Sequence, residues 1–264
     1  MANDNWGSAA RFGIFVVGSE VVPEAEWWAM VPGGVSVHAA RITAATPWAP
    51  WQPDGKAIVL APDLERGAAQ FAAMRLSVAV VAHTSSSVVG GPGWDAAVIA
   101  QLKARVGDAT QVTTNGTDCV TALRACGIRR PLLVAPPWFR DDAIAAGVSY
   151  FEQHGFAVAK TLRHFPEPKW ANASPEHLYG KFMHLEQNVD LLRQQIVSAC
   201  PPSADGILIA GTGFRCVSII DALESALNLP VVTANQASLW RCLSLAGVQE
   251  RVSGYGRLLS GDRR

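Results

Sequence analysis

Three polar stretches carry side chains suited to proton transfer, and each follows a short β-branched apolar run. Gly18-Ser19-Glu20 comes after Phe12–Val17. His83-Thr84-Ser85-Ser86-Ser87 comes after Val78–Ala82, and Gly211-Thr212-Gly213 comes after Gly206–Ala210. An imidazole near its reference pKa of about 6.5 takes or gives a proton at neutral pH without the activation a thiol needs. That makes His83 the first catalytic candidate. Glu20, in the turn before a helix, is a residue type whose ordinary use is as a carboxylate favoured at a helix start. Thr84, Ser85 and the Thr212-Gly213 turn are residue types that cap helices, and a helix start also offers N–H groups to a carboxylate. A serine nucleophile beside His83 lacks the G-x-S-x-G elbow that exposes such a hydroxyl.

The five cysteines (119, 126, 200, 216, 242) are scattered, odd in number and without a C-x-x-C pair. A disulfide framework or a cysteine zinc site is therefore not expected. Cys216, shortly after the last polar turn, reads as a small buried apolar residue inside the following helix.

Strand-like runs alternate with helix-period stretches along the whole chain. Strands are expected at 12–17, 35–42, 78–82, 110–113, 132–135, 156–161, 206–210 and 231–233. Helices are expected at 24–31, 64–75, 94–106, 117–126, 139–154, 175–199, 214–227 and 236–246. Continuous apolar strands covered by helices read as parallel sheet. Two open four-stranded sheets fit better than an eight-unit barrel, with residues 113–118 as the crossover. The expected architecture is α/β: two pseudo-symmetric Rossmann-like lobes, each a four-stranded parallel sheet flanked by helices. The first lobe takes residues 1–114 plus 229–264 and the second takes 115–228. Ligands in such sheets bind at the carboxyl ends of strands, which places the polar turns around an interlobe cleft. The loop Thr46-Pro-Trp-Ala-Pro-Trp-Gln-Pro carries Trp48 and Trp51 as a candidate aromatic lid or pocket wall, together with Trp138.

Of the 264 residues, 49% are apolar, enough for a large core, and Lys+Arg equals Asp+Glu at 22 each. That balance excludes the basic footprint of a nucleic-acid binder. Charged residues make up 17%, below the roughly 25% of an average soluble domain, which suggests surface buried in a homo-oligomer. No apolar stretch reaches membrane-spanning length and the first residues lack signal-peptide character, so the expected location is cytoplasmic with no membrane partner.

With these elements in order, the sequence resembles the aspartate/glutamate racemase superfamily, in its maleate cis-trans isomerase and arylmalonate decarboxylase branch. The segment Pro32-Gly-Gly-Val-Ser-Val-His-Ala-Ala-Arg41 is similar to the family's P-x-G-V-x-V-H-x-x-R. Asp221-Ala-Leu-Glu224 followed by Leu229-Pro-Val-Val-Thr-Ala-Asn-Gln-Ala237 and Leu239-Trp240 is similar to its D-x-x-E…P-V-x-x-x-N-Q-A-x-x-W ending. The resemblance covers nearly the whole chain. It implies a cofactor-independent enzyme acting on small carboxylates, with cysteine thiols moving a proton beside the carboxylate or adding to it.

At those thiol positions this sequence departs from the pattern. The first-lobe C-T-S-G turn reads His83-Thr84-Ser85-Ser86, and the second-lobe cysteine turn reads Gly211-Thr212-Gly213. An Asn or Asp common after the first strand corresponds to Glu20, the tyrosine of a T-P-Y turn to Trp138, and a site Asn to Glu167. Glu20, His83 and Glu167 together could bind a divalent ion, yet neither a metal nor another cofactor is expected. The resemblance thus implies catalytic His83 and Glu20, with Thr84, Ser85, Trp138, Gly211, Thr212 and Gly213 holding a small carboxylate substrate. One-sided acid/base chemistry points to a lyase, by decarboxylation or elimination/hydration. The alternatives are a maleate isomerase-like isomerase or racemase, and a catalytically degenerate small-carboxylate-binding protein. Arg41 and Asn235 read as structural ties.

Overall fold

A computed structural model describes residues 4–261. Strands β1 (Ala10–Val17), β2 (Val35–Ile42), β3 (Val78–Val81) and β4 (Gln111–Thr114) form an all-parallel sheet in the order β2-β1-β3-β4. Strands β5 (Pro131–Ala135), β6 (Lys160–Arg163), β7 (Gly206–Ile209) and β8 (Val231–Thr233) repeat that arrangement as β6-β5-β7-β8. Parallel neighbours require crossovers. In the first lobe these involve α1 (Val22–Met30), α2 (Pro62–Ala72), α3 (Thr84–Val89) and α4 (Trp94–Val106). Then follow α5 (Asn115–Ala125), α6 (Asp141–Gln153), α7 (Pro175–Gly180), α8 (Val189–Ala199), α9 (Ile220–Leu227), α10 (Ala234–Leu245) and α11 (Gly256–Ser260).

The alternation of side chains along each strand explains how two lobes share one core. Phe12, Ile14 and Val16 of β1 lie in the same apolar cluster as Leu132 and Val134 of β5 and Ile207 and Ile209 of β7. Trp27 of α1, Leu192 of α8 and Leu239 of α10 fill that cluster. The opposite face of β1 sends Phe15 against Phe71 of α2, while Leu133 and Leu208 face a third cluster with α5 and α6.

Three expectations are corrected. The last strand was expected in the first lobe with residues 229–264, but β8 pairs with β7 (Leu208 beside Val232), which completes the repeat. Helix α10 packs back on α1 and β3, and it lies against α5, the equivalent helix after β4. The stretch 175–199 is not one helix: Phe182 takes φ +58°, and Asn188 caps α8 by accepting the Leu191 N–H at 3.0 Å. Helix α9 starts at Ile220 rather than 214, after a 3₁₀ turn at 217–219 whose first N–H groups are tied to Glu26. No helix among the described residues is long and apolar enough to cross a membrane.

Candidate active site

In each sheet the chain leaves neighbouring strands in opposite directions, between β1 and β3 and between β5 and β7. Such switch points open a crevice at the carboxyl ends of the strands. Glu20 follows β1, His83 follows β3, Trp138 follows β5 and Gly211–Gly213 follow β7. All eight residues expected from the sequence line one cavity of about 710 Å³, with Trp48, Phe139 and Tyr179 adding aromatic wall. Arg140 is the one arginine or lysine lining it among the described residues, and it sits exposed at the rim, paired with Asp142 at 2.7 Å.

His83 is the N-cap residue of α3 and 9% exposed. Its ring stacks on buried Trp48, with centroids 4.2 Å apart and planes 13° apart. Nδ1 lies 2.8 Å from the Ser86 hydroxyl. Burial pushes the imidazole down to about 3, so it is neutral at physiological pH. A histidine near its reference pKa was expected; desolvation removes that property. Trp48 walls the cavity, and its loop is tied to α3 and to that helix's end: the Trp48 N–H donates to Ser86 Oγ, and Trp51, which does not line the cavity, donates Nε1–H to the Gly90 carbonyl at 2.8 Å.

Glu20 moves the opposite way. Its carboxyl is 5% exposed, and burial raises it from 4.5 to about 7, only partly offset by a hydrogen bond from the Tyr179 hydroxyl to Oε1 at 3.2 Å. Oε2 is buried without a hydrogen-bond partner. Arg41 reaches the Glu20 carbonyl at 2.7 Å and also pairs with Glu24, fixing the loop but not the carboxyl. The carboxyl lies against Gly213, where an added Cβ would stand 2.2 Å from Oε1. Gly213→Ala is therefore expected to displace Glu20 and lower turnover on the order of 10²-fold. Kinetics on any compound the wild type processes, with circular dichroism as the fold control, would check it; unchanged turnover would remove Glu20 from the chemistry.

The hydroxyls expected to grip a carboxylate are largely committed. Thr84 donates to Asn115 Oδ1 at 2.6 Å and accepts the Gly211 N–H at 3.3 Å, while Thr212 donates to the Ala82 carbonyl at 3.0 Å. These bonds tie β3, α5 and the turn after β7 together. Each hydroxyl has one proton, so Thr84 and Thr212 position the site rather than donate to a ligand. What is left for a carboxylate is half-buried Ser85 and the first N–H groups of α3, which no helical carbonyl can accept. Gly211, at φ +94°, makes the sharp exit from β7 that a side-chain-bearing residue rarely adopts.

Trp138 stands between Tyr179 and Phe214, its ring edge-on to Phe214 at 5.7 Å. Glu167 does not line the cavity and accepts from Asn188 Nδ2 at 3.3 Å. No group of His, Cys, Asp and Glu among the described residues is arranged to hold a metal. Cys216 is buried outside the cavity, before α9 rather than within it, and its thiol is pushed up by burial and by Glu26. Two contributors escaped the sequence reading. Tyr179 lies 159 residues from the carboxyl it holds. Glu26 accepts from the N–H groups of Cys216 and Val217 and from Asn235 Nδ2, which also donates to the Thr212 carbonyl. A glutamate in an apolar helix segment beside Trp27 was the only local signal for it.

The arylmalonate decarboxylase family model matches residues 52–259. This chain belongs to the arylmalonate decarboxylase family. Among relatives, arylmalonate decarboxylase from Bordetella bronchiseptica is 27% identical over 178 residues, covering 66% of this chain and 68% of that protein. Maleate isomerase from Nocardia farcinica is 26% identical over 263 residues, covering 96% of both. In structure, maleate isomerase Iso from Pseudomonas putida S16 superposes with a TM-score of 0.77 at 20% identity, over 96% of this chain and 98% of that one. Unliganded arylmalonate decarboxylase gives 0.69 at 22% identity, over 96% and 99%. The two parallel four-stranded lobes are thus the architecture of both kinds of enzyme.

Proposed function

We propose that this protein is a cofactor-free lyase that protonates the carbon beside the carboxylate of a small organic acid, with Glu20 as the acid. The observation that carries this reading is the buried Glu20 carboxyl lining the cavity beside Gly213 and Tyr179, raised by burial to about 7, while Arg140, the one arginine or lysine lining the cavity among the described residues, pairs with Asp142 at the rim. A general acid works best when its pKa lies near the operating pH. The substrate carboxylate rests on the first N–H groups of α3 and the Ser85 hydroxyl. Loss of CO₂ leaves the bonding pair on the α-carbon, delocalised into that carboxylate as an enediolate. Neutral donors already in place stabilise this charge without reorganising. Glu20 then gives its proton to the α-carbon, and solvent reprotonates the carboxylate. Elimination/hydration would use the same proton carrier on a hydroxy acid.

An isomerase reading has less support. A cysteine mutant of Nocardia farcinica maleate isomerase carries a covalently bound succinylcysteine intermediate. None of the five cysteines here lines the cavity. Racemisation would need a second base across the substrate, and in the 211–213 turn two residues are glycines while the Thr212 hydroxyl is donated to the Ala82 carbonyl. The test is proton NMR in D₂O with aryl- and alkylmalonates, maleate, hydroxy acids and amino acids. CO₂ loss or elimination with one deuterium captured beside the carboxylate is expected for at least one compound. Conversion of maleate without deuterium uptake would overturn the lyase reading in favour of isomerisation.

A further inference from the structure

His83 has two ring nitrogens and, being neutral, one proton to place between them. Its environment decides where that proton goes. Ser86 is fully buried, and its Oγ has two neighbours: the Trp48 backbone N–H at 3.1 Å and His83 Nδ1 at 2.8 Å. A backbone N–H can only donate, so the Ser86 hydroxyl proton has one acceptor within reach, the Nδ1 lone pair. A buried hydroxyl proton without an acceptor is disfavoured. The neutral ring therefore carries its proton on Nε2. Stacking on Trp48 fixes the ring plane, and with Nδ1 tied to Ser86 the open nitrogen is Nε2, on a residue that lines the cavity.

We propose that His83 is a neutral hydrogen-bond donor to the substrate oxyanion through Nε2–H, with Ser86 and Trp48 as the positioning residues that lock this tautomer. It is not the base that its residue type suggests. The identity of the oxyanion rests on the lyase reading; the tautomer does not. A neutral imidazole donor stabilises an enediolate without competing with Glu20 for the proton that must reach carbon. Family membership does not supply this assignment, because the lock depends on the serine at position 86 and the loop residue at position 48 of this chain.

Two independent measurements test it. Full-length, ligand-free protein labelled with ¹⁵N at histidine is examined by long-range ¹H–¹⁵N correlation at pH 7, with His83→Gln identifying the resonance among the six histidines. The expected pattern is a protonated Nε2 and an unprotonated Nδ1. Ser86→Ala is expected to shift the ring toward the Nδ1–H form. An imidazolium or an Nδ1–H tautomer in the wild type would overturn the lock, whatever Ser86→Ala does. The second measurement uses a malonate that the wild type decarboxylates. Glutamine places an amide N–H near the imidazole Nε2 but supplies no base. His83→Gln is expected to stay within roughly 10-fold of wild type, while His83→Ala loses on the order of 10²-fold. Equal losses in both variants would overturn the donor role. A silent malonate panel would count against the lyase reading, and the tautomer would still be decided by the first measurement.

Discussion

Glu20→Gln is expected to remove activity and stabilise the fold in the same protein. Loss of a positioned general acid costs about 10²–10⁴ in rate, so turnover of whichever acid the wild type processes should fall by at least about 100-fold. Stability should move the other way. The Glu20 carboxyl rises from 4.5 in the unfolded chain to about 7 in the folded one. The folded state thus binds more protons between these values, and the contribution is fully present below about 4.5 and is lost as pH rises toward 7. Once the group is ionised, the burial cost corresponds to about 3 kcal/mol. Glutamine keeps the acceptor for Tyr179 and removes the buried charge. At pH 8 the variant should melt several degrees above wild type, and at pH 5 the two should nearly coincide. Thermal melts at both pH values, read beside the kinetics, check this. A variant that is inactive and equally destabilised at both pH values would show a structural role instead.

The second large effect concerns folding. Glu26→Ala deletes a fully buried carboxylate that accepts the N–H groups of Cys216 and Val217, at 2.6 and 3.0 Å, and Asn235 Nδ2 at 2.7 Å. Because α1 belongs to the first lobe and residues 216–217 follow the second sheet's β7, these bonds clasp the lobes together. Alanine leaves two backbone N–H groups and one N–H of the Asn235 amide, whose other N–H stays on the Thr212 carbonyl, buried without an acceptor, and it opens a void. The expected loss is about 3–5 kcal/mol, or roughly ten degrees in melting temperature for a chain of this size. A fall of less than about two degrees would mean that water or a neighbouring group takes over all three donors, and that the clasp contributes little.

The element order was readable because most strands here are covered on both faces and so leave continuous apolar runs. Strands β2 and β8 have the boundaries that hydrophobic patterning expects, and most others fall within two residues. The exception shows the cause. Strand β6 lies at a sheet edge with Lys160 and Thr161 exposed, so the apolar signal sits upstream at Phe156, whose ring packs on Phe151 of α6. The cavity location was likewise legible, since polar turns at the ends of strands mark where parallel sheets bind ligands, and all eight expected residues meet there.

What those residues can do was not legible, because proton affinity is a property of surroundings. Histidine and glutamate types suggest groups that titrate near 6.5 and near 4; burial lowers the first to about 3 and lifts the second to about 7. The hydroxyls of Thr84 and Thr212 look free in the chain and are consumed by partners 31 and 130 residues away. The place of β8 beside β7 depends on sheet pairing, which three apolar residues do not encode. Residue type and period act over a few positions and set strands, helices and turns. Desolvation and hydrogen-bond partnership arise between segments distant in the chain, and here they set the proton affinities of Glu20 and His83 and the buried hydrogen bonds of Glu26.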